Sequence, residues 1–239
     1  LKRFSDGKKR KIDLKHRKDY VLKYGDIVER HMLSTDVVMF NRQPSLHRPS
    51  IMCHKPRPIP NVAFETFRLN VNVTEPYGAD FDGDEMNLFY ARNIQTQVEI
   101  LLLASVEKHI ISVGSTRPII KFKQDTPAGL YMMTVEKRTM HWRDVMIMAA
   151  SLYDFDVTTI KKKNMTSHQV FSLLLPSGIN YESDTVSIVN GELMHGAITN
   201  KILNSVLIIY IWEKYGSYET KKFIDNAQRL AESFIFQHG

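Results

Sequence analysis

The chain has 239 residues, enough for one large domain or two modest ones and for a sizeable buried core. Its 43% hydrophobic, 24% charged and 10% aromatic content, with only 11 Gly and 9 Pro, excludes collagenous, low-complexity and wholly disordered classes. The net charge of +6 is local: residues 1–30 hold 11 basic and 5 acidic residues, whereas residues 31–239 hold 21 of each.

Within that basic start, Lys8-Lys9-Arg10-Lys11 and Lys15-His16-Arg17-Lys18 read equally as a contact for an anionic polymer and as a solvated, frayed segment. The first residue is Leu1, no basic-plus-apolar signal segment follows it, and both ends read as cut from a longer chain. The single cysteine, Cys53, excludes an intrachain disulfide and a Cys-rich zinc site, and fits a reducing compartment. The longest apolar run, Val206 to Trp212, is far shorter than the roughly 18–20 residues of a membrane span, so no membrane partner is expected.

From Asp26 to Val73 apolar residues come in short clusters between turn formers, which predicts a mainly β region over residues 26–90. Phe67, Leu69, Val71 and Val73 alternate with Arg68, Asn70 and Asn72, the period of a half-buried strand. Prolines 44, 49, 56, 58 and 60 forbid a regular helix between them. After Arg92 the period changes. Ile94, Val98, Leu101, Leu102, Ser105 and His109 predict an amphipathic helix over 93–110, with Leu101 and Leu102 facing a core. Further helices are predicted at 127–135, 141–153, 166–175, 199–214 and 218–237, and Asn190-Gly191 marks a hairpin between Val186-Ile188 and Leu193-Met194. The whole reads as an α+β fold, β first and helical after. Trp142, Met146 and Met148 fit a helix core, Lys161-Lys162-Lys163 an exposed turn, and His47, Cys53 and His54 packing rather than metal ligation.

The chemistry concentrates in Ala79-Asp80-Phe81-Asp82-Gly83-Asp84-Glu85-Met86-Asn87. Asp80, Asp82 and Asp84 stand at i, i+2 and i+4, a spacing that scatters side chains on a helix but aims them to one side in an extended or looped backbone. Three carboxylates so placed repel unless a cation sits between them, and Mg²⁺ is the hard ion that suits such oxygens. Gly83 permits the bend. Four readings compete: a solvated acidic turn, an EF-hand loop, a phosphatase-like D-x-D-G nucleophile and a nucleotidyl-transfer metal site. The EF-hand fails, because its glycine and glutamate positions hold Glu85 and Ala91. The phosphatase motif should follow an apolar strand and end in Thr, but Glu75-Pro76-Tyr77-Gly78 precedes the motif here and Asp84 takes the Thr position.

A second motif, Asn41-Arg42-Gln43-Pro44-Ser45-Leu46-His47-Arg48, lies in a stretch from Val37 to Phe64 with four basic residues and no acidic one. Arg42 offers planar donors to phosphate or sugar oxygens; taken alone it reads first as a surface salt-bridge residue, and residues 1–30 with the Arg42 to Arg57 segment leave a non-catalytic nucleic-acid-binding module as an alternative.

Together, G-D-I-V-E-R-H (25–31), V-V-M-F-N-R-Q-P-S-L-H-R (37–48), R-L-N-V-N-V-T (68–74) and A-D-F-D-G-D-E-M-N (79–87) resemble the largest subunit of multisubunit DNA-directed RNA polymerases. A weaker likeness continues through 124–134, 189–196 and 223–230. The resemblance implies a double-psi β-barrel part at 1–92, a pore-like mixed helical region at 93–215 and the start of a funnel helix at 216–239. It implies that Asp80, Asp82 and Asp84 are catalytic and hold a tightly bound Mg²⁺, a second ion arriving with the nucleoside triphosphate. Arg42 would stand near the ribose and the RNA end, Pro44 near the template and nascent pair, and Glu85 outside the ligand set. The implied partners are the second-largest subunit and other polymerase subunits, DNA template, RNA transcript and NTPs, with the isolated chain inactive and binding metal weakly. One departure stands at Gly78, where the family carries an Asn that helps recognise the ribose 2′-hydroxyl. The motifs are eukaryotic-type in wording; shortened connections after Arg92 and the Gly78 change point to a large DNA virus. The location implied is intracellular: nuclear if the source is cellular, a viral factory, virion or host nucleus if viral.

Overall fold

The computed structural model describes residues 2–5, 8–11, 21–160 and 164–239. Lys161-Lys162-Lys163 and the Lys15–Lys18 cluster lie outside them, and of residues 2–5 and 8–11 only the backbone, an antiparallel pair of β1 (Lys2–Ser5) and β2 (Lys8–Lys11), is described. Strands β3 (Val38–Asn41), β4 (Ile51–His54) and β5 (Asn87–Tyr90) form an antiparallel sheet with β3 in the middle. Its register pairs Asn41 with both Ile51 and Asn87, so the Arg42 loop and the end of the acidic loop leave the same edge of the sheet. Phe40, Met52 and Tyr77 make a small core beneath it, with Phe40 meeting Tyr77 edge to face at 5.8 Å.

Two expectations for this half are corrected. Residues 26–90 contain three short strands among largely irregular chain rather than a mainly β region. The alternating stretch at 67–73 is not a strand: Asn70 accepts a hydrogen bond from the Asn72 backbone N–H and starts a 3-10 turn at Val71–Val73, which leads into the single-turn helix α1 (Thr74–Tyr77).

Helix α2 (Ile94–Ala104) opens on Asn93, which accepts from the Thr96 backbone N–H, but none of its residues is buried. Ile94 is 77% exposed and Leu102 65%, so the expected core contact of Leu102 is absent; the helix period was present, the covering layer is not. The remaining helices are α3 (Asp125–Val135), α4 (Trp142–Ser151), α5 (Ser167–Ser172) and α6 (Ile208–His238), the last entered through a π-helical turn at Ile202–Leu207. Gly216, at φ 81°, breaks the helical backbone between the two predicted C-terminal helices. Small strands β6 (Thr139–Met140) and β7 (Met165–Thr166) pair, and β8 (Tyr181–Glu182), β9 (Ser187–Val189) and β10 (Glu192–His195) form a meander. The expected hairpin joins β9 to β10, with Asn190 and Gly191 both at positive φ, 51° and 83°.

The large core lies in this half. Leu130 of α3, Met148 of α4, Phe171 of α5, Ile188 of β9 and Phe223 and Leu230 of α6 are all but inaccessible. Gly129 lets α3 lie tight on α6, since a Cβ there would come within 2.8 Å of the Ile235 side chain. Trp142 departs from its predicted core place: it is 47% exposed, beside the Arg143 guanidinium at 5.6 Å. The architecture is α+β, as expected. Among the described residues the N-terminal sheet has three strands and is open.

Candidate metal centre

The acidic loop is built between two fixed points. At its start Gly78 ends α1 in the left-handed conformation, φ 58° and ψ 29°, with its N–H bonded to the Glu75 carbonyl at 3.0 Å. Tyr77, one residue earlier, is buried, and its hydroxyl meets His54 Nε2 at 2.7 Å, anchoring that end to β4. Burial pushes His54 down to about 4 and raises Tyr77, so both are neutral at pH 7. At the other end β5 is hydrogen-bonded to β3. Between them Gly83 adopts φ 112°, and the Asp80 backbone N–H donates to Asp84 Oδ2 at 3.0 Å, closing the loop on itself.

This non-helical loop brings together one carboxylate oxygen from each of Asp80, Asp82 and Asp84, all within 4.8 Å of one another. They are the one group of three or more acidic, His or Cys ligands so placed among the described residues; Glu85, His47, His54 and Cys53 are outside it. Neighbouring ligands of an octahedral Mg²⁺ ion stand about 3 Å apart and opposite ones about 4.2 Å, for bonds of about 2.1 Å, so the loop draws in for all three carboxylates to bind one ion directly. The donor set is all hard oxygen, and the electrostatics favour a cation: Asp80 is raised because it shares a hydrogen bond with Asp82, is partly desolvated and faces two like charges. Asp84 is lowered, first by Arg42 and then by the Asp80 backbone N–H. The residues fit a divalent ion.

Arg42 supplies the feature that sequence could not show. Its Nε lies 2.8 Å from Asp84 Oδ2 and its Nη2 donates to Asp84 Oδ1 at 3.0 Å, a two-pronged pair across 42 residues of sequence. The salt-bridge reading of Arg42 and its place beside the acidic motif thus coincide. The loop carrying it is held by Asn41, whose buried amide donates to Ser45 Oγ at 2.6 Å and to the Ser50 carbonyl at 3.0 Å. Asn41 was missed as a contributor; its one signal was adjacency to Arg42. Pro44 is exposed on the same loop. Gly78 faces Arg42: a Cβ added there would sit 3.8 Å from Nη1.

A family model described as "RNA polymerase Rpb1, domain 2" matches residues 2–106, and "RNA polymerase Rpb1, domain 3" matches residues 109–239. The chain belongs to the RNA polymerase Rpb1 family. Among curated members of this family it is 42% identical over 225 residues to DNA-directed RNA polymerase subunit 1 of Acanthamoeba polyphaga mimivirus, which covers 91% of this chain and 15% of that protein. DNA-directed RNA polymerase II subunit RPB1-B of Trypanosoma brucei brucei is 36% identical over 245 residues, covering 95% of this chain and 14% of its own length. DNA-directed RNA polymerase subunit Rpo1N of Methanothermobacter thermautotrophicus is 34% identical over 240 residues, covering 91% of this chain and 27% of its own length. The chain therefore corresponds to a minor part, 14–27%, of these Rpb1 relatives. No helix among the described residues is long and apolar enough to cross a membrane.

Proposed function

We propose that this chain carries the catalytic centre of a DNA-directed RNA polymerase largest subunit and takes part in template-directed nucleotide addition to an RNA 3′ end. The observation that supports it most is the convergence of Asp80, Asp82 and Asp84 beside Arg42 in a chain of the Rpb1 family. Asp80, Asp82 and Asp84 would hold Mg²⁺, with a second ion arriving on the NTP. When bound, these ions supply Lewis-acid chemistry, making the 3′-hydroxyl more acidic and balancing charge on the phosphate and the departing pyrophosphate. The protein's own part is positional. The closed loop, pinned by Tyr77 and β5, keeps the three carboxylates on one side. The attacking group is the RNA 3′-hydroxyl, so no protein nucleophile is required. Arg42 holds Asp84 ionised and oriented, and presents Nη1 toward the space beside Gly78, where a ribose hydroxyl would be met. Pro44 lies on the same strapped loop and would border the nascent pair.

In this reading 1–92 is the active-centre part, its sheet being a piece of a barrel completed by chain outside these residues, 93–215 the pore-like region and 216–239 the start of the funnel. The partners are the second-largest and other subunits, template DNA, transcript and NTPs, in an intracellular setting. An Asp→Ala series at 80, 82 and 84 in a reconstituted polymerase tests the reading: nucleotide addition is lost at each position with assembly preserved. Retained addition excludes it, and template-independent phosphate-ester hydrolysis supports a D-x-D-G phosphatase instead.

A further inference from the structure

Residues 121–123 reach from the large helical core to the helix that opens the acidic loop. Asn204, in the π-helical turn that precedes α6, accepts from the Phe122 backbone N–H at 2.8 Å and donates to the Phe122 carbonyl at 3.0 Å. The Phe122 ring is buried in that core, edge-on to Phe223 at 5.8 Å and 89°. With backbone and ring so fixed, the two flanking lysines leave the core and meet α1. Lys121 Nζ lies 2.9 Å from Glu75 Oε1, and Lys123 Nζ lies 3.6 Å from Glu75 Oε2 and 3.5 Å from Thr74 Oγ1. Thr74 and Glu75 matter for what their carbonyls hold. The Gly78 N–H donates to the Glu75 carbonyl at 3.0 Å and the Ala79 N–H to the Thr74 carbonyl at 3.1 Å, and the next residue is Asp80, the first of the three carboxylates.

We propose that Lys121 and Lys123 are positioning residues of the metal centre: by clamping Glu75 and Thr74 they hold the one-turn helix from which the acidic loop departs, and so keep Asp80, Asp82 and Asp84 gathered for one divalent ion. The proposal rests on the metal reading of those aspartates. A loop ordered before the ion arrives loses less conformational freedom on binding, so loosening the clamp weakens the binding. Charge alone predicts the reverse. Ammonium groups near three carboxylates repel a cation, and their removal would tighten its binding. The sign of the change therefore separates positioning from plain electrostatics. Its size is that of a partly exposed ion pair, since the Lys121, Lys123 and Glu75 side chains are 37%, 35% and 37% exposed.

Mn²⁺ affinity of the assembled polymerase without NTP, read by electron paramagnetic resonance, tests the proposal in Lys121→Met combined with Lys123→Met. Binding about two- to fivefold weaker is expected, with faster hydrogen exchange in the peptide from Tyr77 to Asp84 and unchanged exchange in α3 and α6. Unchanged or tighter binding overturns the proposal. Lys121→Arg keeps the charge and can still pair with Glu75, so it is expected to retain more affinity than Lys121→Met; an equal loss overturns the proposal. In a Glu75→Gln background, adding Lys121→Met is expected to weaken binding no further, because this lysine acts through that carboxylate, and an undiminished further loss counts against it. Should the double lysine variant not assemble, Lys121→Met alone takes its place on the same readouts. Asp82→Asn is the reference: an ion that survives it removes the metal reading and the clamp with it, whereas an ion lost there yet indifferent to the lysines removes the clamp alone.

Discussion

Both oxygens of Asp84 are taken by Arg42, so a cation entering the acidic loop competes with a guanidinium already there. Arg42→Gln is therefore predicted to tighten apparent Mg²⁺ binding by about two- to fivefold, the scale of a partly exposed ion pair, while raising the KM for NTP. A role for Arg42 limited to holding the loop predicts the opposite sign, weaker Mg²⁺ binding; separate titrations of metal and NTP distinguish them. Gly78 stands beside the same guanidinium. Its backbone is left-handed, a conformation Asn enters at lower cost than other side chains, and the added Cβ meets Arg42 Nη1 at an ordinary 3.8 Å. Gly78→Asn is predicted to fold and to raise the preference for rNTP over dNTP in the assembled enzyme. Unchanged incorporation ratios would remove this position from sugar selection.

At the scale of elements, irregular segments are held by a few polar staples that can be tested singly. The Asp36 carboxylate accepts from both Arg30 nitrogens and from the Leu33 backbone N–H, which hold it at about 2, below its ordinary 3.8. A depressed carboxyl adds stability above its ordinary value and loses it as pH falls from near 4 through 2. The urea midpoint is predicted to drop over that window and to lose this step in Asp36→Asn. In the helical half, Asn226 of α6 accepts from the Tyr153 backbone N–H at 2.7 Å and donates to the Tyr153 carbonyl at 3.2 Å. Asn226→Leu strands both backbone groups and is predicted to cost about 2–4 kcal/mol in chemical unfolding. These staples also explain what sequence could and could not reveal. The Asn190-Gly191 turn was legible because its residues carry the positive φ themselves. The 67–73 stretch departs from its period-2 pattern because one capping bond at Asn70 overrides it, and α2 lies against β4 with Leu101 half-buried and Leu102 exposed rather than both facing a core. The acidic loop was legible because i, i+2, i+4 spacing is local, whereas the Arg42–Asp84 pair depends on the β3–β5 register.

Across the whole molecule, a small core under the three-stranded sheet and a large helical core meet at Val106, which packs against both, and are tied by a few polar contacts. Asn70 and Asn72 both donate to Gln228 Oε1 of α6 at 2.9 Å, and Lys121 reaches Glu75 at 2.9 Å. Gln228→Ala is predicted to loosen the N-terminal half selectively, seen as faster hydrogen exchange around α1 with the α3–α6 core unchanged. The exposed face of α2 and an apolar cavity between the three-stranded sheet and residues 55–69 both lie in that half. The isolated chain is predicted to bind divalent ions weakly and not to polymerise. Asp80, Asp82 and Asp84 are predicted to grip one ion together. Mn²⁺ binding to the assembled polymerase, read by electron paramagnetic resonance in the absence of NTP, tests this most directly. One tightly held ion, lost in each of the single Asp→Asn variants at 80, 82 and 84 while assembly persists, is the predicted result; an ion retained undiminished in any of the three would contradict the account.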